Sequence, residues 1–229
     1  MQDYLISVAS RMGISMTDKQ VSDFVRYYDM MIDYNSRFNL TRIVDQVDAV
    51  LKHFADSLAG MEHIPSGAKC LDVGSGAGLP AIPLLIMRED IHYTLTDSIG
   101  KKTTFLQDVV DTLSLNATVL NTRAEDLAKV RRENYDIVTA RAVASMSPLC
   151  EYCLPLLKVG GRMIAYKTLP SEYDEGANAV KVLGAQLREI VPYTIPDSDY
   201  SRCLILLDKV RPTPPRYPRE GGKARKSPL

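Results

Sequence analysis

The chain has no apolar run long enough to span a bilayer. Its first residues, MQDYLISVASRMG, carry no basic region followed by a continuous apolar block. No membrane association and no secretory leader are therefore expected, and the protein is expected in the cytoplasm. Cysteine and histidine are scarce, four and three in 229 residues. Cys70 and Cys203 sit inside apolar runs and read as small core residues. Cys150 and Cys153 form a lone C-x-x-C with no second pair at zinc spacing, so no metal site is expected. Net charge is lacking too, since 28 basic side chains balance 28 acidic ones. What remains, 45% hydrophobic and 24% charged, describes an ordinary globular protein with material for one sizeable core.

The charge balance hides an asymmetry. From Lys209 to Leu229 there are seven Lys or Arg and one acid, Glu220, a net +6 that leaves −6 on the rest. A basic tail rich in Pro and Gly suits a polyanionic partner, but a solvated tail has the same composition. Tyr217 within it reads either as a base-stacking ring or as the anchor of a docked tail.

Patterning divides the chain into a helical region (1–64), a core (65–210) and the tail (211–229). In the first, Val21, Phe24, Val25, Tyr28 and Ile32 repeat at helical spacing, and Thr17 with Gln20 forms a capping box. A second helical face follows, with Val47, Val50, Leu51, Phe54 and Leu58. After Pro65-Ser66-Gly67, strand patterns (AKCLDVG, HYTLTD, ATVLNT, YDIVTAR, GRMIAYKT) alternate with helix-length segments at 79–89, 98–114, 124–132 and 145–158. Such alternation predicts a parallel sheet covered by helices on both faces. A further helix is expected over 171–187, with Ser171 as its N-cap. REIVPYTI and RCLILLDK then flank PDSD with no helix between them, which predicts an antiparallel hairpin on the sheet.

The first strand runs into GSGAG, with Gly74, Gly76 and Gly78 spaced by two and Asp72 two residues ahead. Strand, glycine turn and helix together bring backbone N–H groups close to a ligand. A dinucleotide fingerprint would need glycine at 79, where this chain has Leu79. The second strand ends in Asp97, 23 residues after Gly74, where an acid accepts ribose hydroxyls in dinucleotide folds. Ala124-Glu125 follow the third strand and are placed to edge an adenine. These features describe a nucleoside pocket without a pyrophosphate.

With the closing hairpin, the chain resembles the class I S-adenosyl-L-methionine methyltransferases. Seven blocks in order, RFNLTRI, HFADSL, LDVGSGAGLP, TDSIGKKTTFL, RAEDL, DIVTARAVA and YPREGGKARKSPL, narrow the resemblance to bacterial 16S rRNA guanine-N7 methyltransferases, the family of glucose-inhibited division protein B. The resemblance covers nearly the whole chain. It implies an α/β Rossmann-like sheet in the order 3-2-1-4-5-7-6 behind an N-terminal helical extension. It further implies methyl transfer from S-adenosyl-L-methionine to N7 of one guanine in the 530 loop of 16S rRNA, on the small subunit or its assembly intermediate, by a monomer. A methyltransferase acting on another RNA or on a small molecule is the alternative. Leu79 departs from the family, where Phe is frequent.

The residues agree with that chemistry. Amine methylation usually uses an (Asp/Asn)-Pro-Pro-Tyr segment after strand four, where this chain has ARAVA. Methylation at pyrimidine C5 needs a cysteine nucleophile, and Cys150 lies too far along. Guanine N7 offers a free lone pair and loses no proton, so positioning suffices. The expected cofactor contacts are Asp72, Gly74, Gly76, Gly78, Leu79, Asp97, Ser98, Ala124, Glu125 and Arg141. Arg141 and Lys167, at the ends of strands four and five, are the candidates for catalysis. Lys101, Arg123, Arg202, Arg216 and Arg219 are the candidates for RNA. Two readings stay open for Arg123, which either orients Glu125 or touches RNA; Lys101 and Lys102 either face a phosphate or an acidic neighbour, or are simply solvated. His53 and Asp56, three apart on one helix face, read as a hydrogen-bonding device joining the helices to the sheet.

Overall fold

A computed structural model describes residues 1–229. The N-terminal region holds α1 (Gln2–Arg11), α2 (Asp18–Arg37), α3 (Gln46–Ala49), a π-helical turn (Val50–Ala55) and α4 (Asp56–Leu58). The core follows as β1 (Lys69–Val73), α5 (Ala81–Met87), β2 (His92–Asp97), α6 (Gly100–Leu113), β3 (Ala117–Asn121), α7 (Ala124–Val130), β4 (Tyr135–Arg141), α8 (Met146–Cys153), β5 (Leu157–Lys167), α9 (Glu172–Val182), β6 (Ala185–Thr194) and β7 (Ser201–Lys209). A short α10 (Lys223–Lys226) lies near the C-terminus. The seven strands form one sheet in the order β3-β2-β1-β4-β5-β7-β6. β1 to β5 pair in parallel, and β7 runs antiparallel to both β5 and β6. The expected sheet order and hairpin are both present. Pro192 is accommodated because β6 is an edge strand, where a missing N–H costs no ladder bond.

Helix ends differ from the periodic reading, each for a local reason. α8 stops at Cys153, well short of 158, because Pro155 follows and Leu154–Leu156 tighten into a 3-10 turn. α9 ends at Val182 rather than 187, since Gly184 turns the chain at φ +90° and Ala185 already pairs in β6. Ser171 makes no capping bond there. The Glu172 carboxylate accepts the amides of Thr168 and Leu169 instead.

The capping box at Thr17 and Gln20 opens α2 as expected. Of its expected face, Val21, Phe24 and Tyr28 are buried and are joined by Tyr27 and Met31, whereas Val25 and Ile32 lie at the boundary. Phe24 packs 5.0 Å from Phe54 of the π turn, and Tyr34 packs edge-on 5.1 Å from Phe105 of α6. Aromatic pairs of this kind contribute about 0.5–1.5 kcal/mol each beyond their burial. The N-terminal helices thus share one core with the sheet face carrying Cys70, Tyr93 and Ile137. Of the second helical face, Val50, Leu51, Phe54 and Leu58 are buried, whereas Val47, just ahead of the π turn, is exposed.

The C-terminal segment is folded onto the body. Tyr217 and Ala224 are buried in the second core cluster with α7 and α8 residues. Arg132 donates to the carbonyls of Thr213, Pro214 and Tyr217 at 2.8, 3.1 and 2.7 Å. Arg219, expected at RNA, is committed to Glu151, whose carboxylate is almost wholly buried and lies 2.6 Å away. Removing the guanidinium strands that anion, so Arg219→Ala should lower stability by on the order of 3 kcal/mol, the lower end for a broken buried pair. Urea titration checks this; a change under 1 kcal/mol would show that the pair is effectively solvated.

Candidate functional site

Two cavities open side by side at the carboxyl ends of the parallel strands, where open α/β sheets bind ligands. The first, of about 400 Å³, is lined by Gly74, Asp97, Ser98, Lys102, Arg123, Ala124 and Glu125, among others. The second, of about 570 Å³, is lined by Lys52, His53, Asp56, Arg141, Lys167, Glu172 and Arg202, among others. Both are of ligand size. Ala142 and Val143, just after β4, line both and form the wall between them.

The glycine turn shapes the first cavity. Gly74 has φ +69°, and a Cβ there would lie 2.9 Å from Val143 Cγ2. Gly78, at φ +93°, faces inward, where a Cβ would meet Ile82 at 2.5 Å. The Gly76 amide donates to Asp97 Oδ2 at 3.0 Å, and the Ile99 amide donates to Oδ1 at 2.9 Å. These bonds hold the Asp97 carboxylate at the cavity edge. Lys102 Nζ lies 3.7 Å from Asp97 Oδ2, so the acidic neighbour is the partner of that lysine. Lys101 is exposed and lines neither cavity.

Asp72 lies beneath the turn, wholly buried. Thr139 Oγ1 donates to its Oδ1 at 2.7 Å, whereas Oδ2 has no partner. Burial pushes the carboxyl up to about 7, opposed by the Thr139 bond. Leu79 packs into the core and does not line the cavity.

The second cavity is built around Arg141. Its Nη1 donates to Asp56 Oδ2 at 2.6 Å and to the Lys52 carbonyl at 3.0 Å. Its Nη2 donates to His53 Nδ1 at 3.3 Å. An arginine only donates, so the His53 proton sits on Nε2, which faces Thr41 Oγ1 at 2.9 Å. Burial, reinforced by the Arg141 charge, lowers His53 to about 4 and keeps the ring neutral. Asp56 also accepts from Tyr193 at 2.7 Å and lies 3.5 Å from Arg202 Nε. Lys167 Nζ donates to the Ala144 carbonyl at 2.9 Å and pairs with Glu172 at 3.0 Å. Lys52 and Arg202 both lie against the partly exposed ring of Tyr200. Arg141, expected at the cofactor, thus lines the second cavity only.

Arg216 is exposed and lies against Tyr217, away from both cavities. Three participants went unread in the sequence: Lys52, Val143 and Arg225. Arg225 belongs to the tail yet lines the first cavity.

A family model described as rRNA small subunit methyltransferase G (GidB) matches residues 20–198. The chain belongs to this family. It is 42% identical over 229 residues to the ribosomal RNA small subunit methyltransferase G of Lactobacillus johnsonii, covering 96% of each chain. With that of Exiguobacterium sibiricum it shares 39% identity, covering all of this chain and 99% of the other. Among solved structures, a precorrin-6y C5,15-methyltransferase from Geobacter metallireducens superposes with TM-score 0.55 at 13% identity, over 76% of this chain and 95% of that one. Aeropyrum pernix fibrillarin, solved with S-adenosyl-L-methionine bound, gives TM-score 0.53 at 18% identity, over 67% of this chain and 72% of that one. At such identities the two structures speak to the fold alone.

The folded protein holds the Asp72 proton up to about pH 7, and the unfolded chain releases it above about 3.9. Stability from this group therefore falls as pH rises through that window and is level above it. Asp72→Asn keeps the Thr139 partner and cannot ionise. Its stability relative to the parent protein should grow from pH 4 to pH 7 in urea titrations; parallel profiles would show that burial does not hold the proton.

Proposed function

We propose that this chain transfers a methyl group from S-adenosyl-L-methionine to N7 of one guanine in the 530 loop of 16S rRNA. The observation that carries the reading is the pairing of two ligand-sized cavities across a shared wall. One is edged by the amide-held carboxylate of Asp97 and by Glu125, beside Lys102, Arg123 and Arg225, and the other carries Lys52, Arg141, Lys167 and Arg202 around Asp56 and Glu172.

The first suits a nucleoside. Gly74, Asp97, Ser98, Ala124 and Glu125 would hold it, with Asp97 available to ribose hydroxyls and the unpartnered Asp72 Oδ2 lying beneath. When bound, the sulfonium supplies the electrophilic methyl. The second cavity suits a nucleotide, because guanidinium and ammonium groups recognise phosphate and guanine O6.

What the second cavity lacks is a free proton acceptor. His53 is neutral with its Nδ1 lone pair facing Arg141, and Asp56 is held by Arg141 and Tyr193. Glu172 is held by Lys167 and two backbone amides. An acceptor atom that must lose a proton finds no base here, whereas an N7 lone pair needs none. The residues contribute by holding and orienting the acceptor and by excluding water, and good positioning supplies on the order of 7–11 kcal/mol of a barrier. On this reading the substrate is the small ribosomal subunit or its assembly intermediate, met in the cytoplasm by a monomer.

The test incubates the protein and labelled S-adenosyl-L-methionine with small subunits and with naked 16S rRNA, then maps the label. One labelled N7 in the 530 loop is expected, and Asp97→Ala should abolish both the label and cofactor binding in calorimetry. Label on an exocyclic amine, or spread over many guanines, would overturn the reading.

A further inference from the structure

The wall between the two cavities is a loop under tension. Ala142 has φ +55°, in the left-handed region that a residue with a Cβ rarely adopts, so Ala142–Ala144 needs an outside hold. Two cations supply it, one from each cavity. Lys167 Nζ donates to the Ala144 carbonyl at 2.9 Å, and Arg225 Nη2 donates to the Val143 carbonyl at 3.0 Å. The Val143 side chain in turn stands over Gly74, close enough to meet a Cβ there at 2.9 Å.

Arg225 reaches the loop because the C-terminal segment is pinned on both sides of it. Arg219 is bound to buried Glu151, Ala224 is buried, and the Leu229 carbonyl accepts from Ser147 at 3.1 Å. Gly222 and Arg225 themselves line the first cavity, beside Tyr152. The charge that marked the tail as an arm for polyanions therefore includes one guanidinium spent on a carbonyl between donor and acceptor sites.

We propose that Arg225 is a positioning residue, through which the C-terminal segment closes the cofactor cavity and fixes the wall across which the methyl group passes. The identity of the cofactor rests on the reading above; that of the RNA does not enter. With Arg225 removed, Val143 loses its hold and the cavity loses one side, so the cofactor should bind less well. RNA binding, supported by Lys52, Arg141, Lys167 and Arg202 in the other cavity, should change little.

Full-length Arg225→Ala, Arg225→Lys and Lys223→Ala test this, the last removing one charge from the same short helix without touching the loop. Arg225 and Lys223 are both exposed, so the fold should survive each change. Calorimetry with S-adenosyl-L-methionine, without RNA, should show Arg225→Ala weakened about tenfold, equivalent to about 1.4 kcal/mol. Arg225→Lys should recover part of the loss and Lys223→Ala should match the parent protein. Hydrogen exchange at residues 142–145 should slow on cofactor addition in the parent protein and respond less in Arg225→Ala. Unchanged cofactor affinity in Arg225→Ala, with weaker binding of a 530-loop RNA and a flatter salt dependence, would overturn the proposal and make the residue an RNA contact. Failure of the parent protein itself to bind S-adenosyl-L-methionine would sink the methyltransferase reading beneath it, a result distinct from either.

Discussion

The ion pair between Asp56 and Arg141 joins the two parts of the molecule. Asp56 sits just after a π turn in the N-terminal helices, and Arg141 ends β4 at the centre of the sheet. Both side chains are largely out of water, with Asp56 the more deeply buried. Such a pair gives little net stability against an apolar alternative, but losing one partner leaves a buried charge and costs several kcal/mol. Its value here is geometric. Asp56 binds groups from β4, β6 and β7, so one carboxylate sets the rim of the second cavity across three strands. The π turn matters because an extra residue in the turn changes which side chains face the sheet. His53 and Asp56 both point there, and the Lys52 carbonyl accepts from Arg141.

Both cavities beside the wall that Arg141 leads into carry mixed charge. Asp97 and Glu125 share the first with Lys102, Arg123 and Arg225, and Asp56 and Glu172 sit among Lys52, Arg141, Lys167 and Arg202 in the second. What differs is how the acids are held. Backbone amides of Gly76 and Ile99 fix the Asp97 carboxylate at the edge of the first cavity, whereas in the second Arg141 binds Asp56 and Lys167 binds Glu172.

The sheet order and the glycine turn were legible because both rest on local rules. Strand and helix periods differ, and a parallel sheet requires crossovers, so RCLILLDK following REIVPYTI with no helix between had to run antiparallel. Asp97 was legible for the same reason, since a strand end fixes where its last side chain lies. Helix ends over 145–158 and 171–187 were misread because the apolar pattern continues past Pro155 and Gly184 into strands of similar composition. The π turn has no sequence period of its own. The tail misled most: its six basic residues look alike in sequence, yet Arg219 meets Glu151 across 68 residues and Arg225 meets Val143 across 82. Only the folded chain assigns partners at that separation.

The neutrality of His53 bears on the reaction more than any cation does. A histidine beside a carboxylate invites the role of general base, and the spacing in HFADSL would fit one. Here the guanidinium of Arg141 lies between the two, occupying the lone pair of the ring and the carboxylate together. Protonating His53 would place two positive charges in contact in a buried site, which is why burial and Arg141 act in the same direction on it. The arrangement removes His53 from service as a base and makes the pair a fixed support. A site built this way suits an acceptor that brings its own lone pair, because His53, Asp56 and Glu172 are each already bound by a cation.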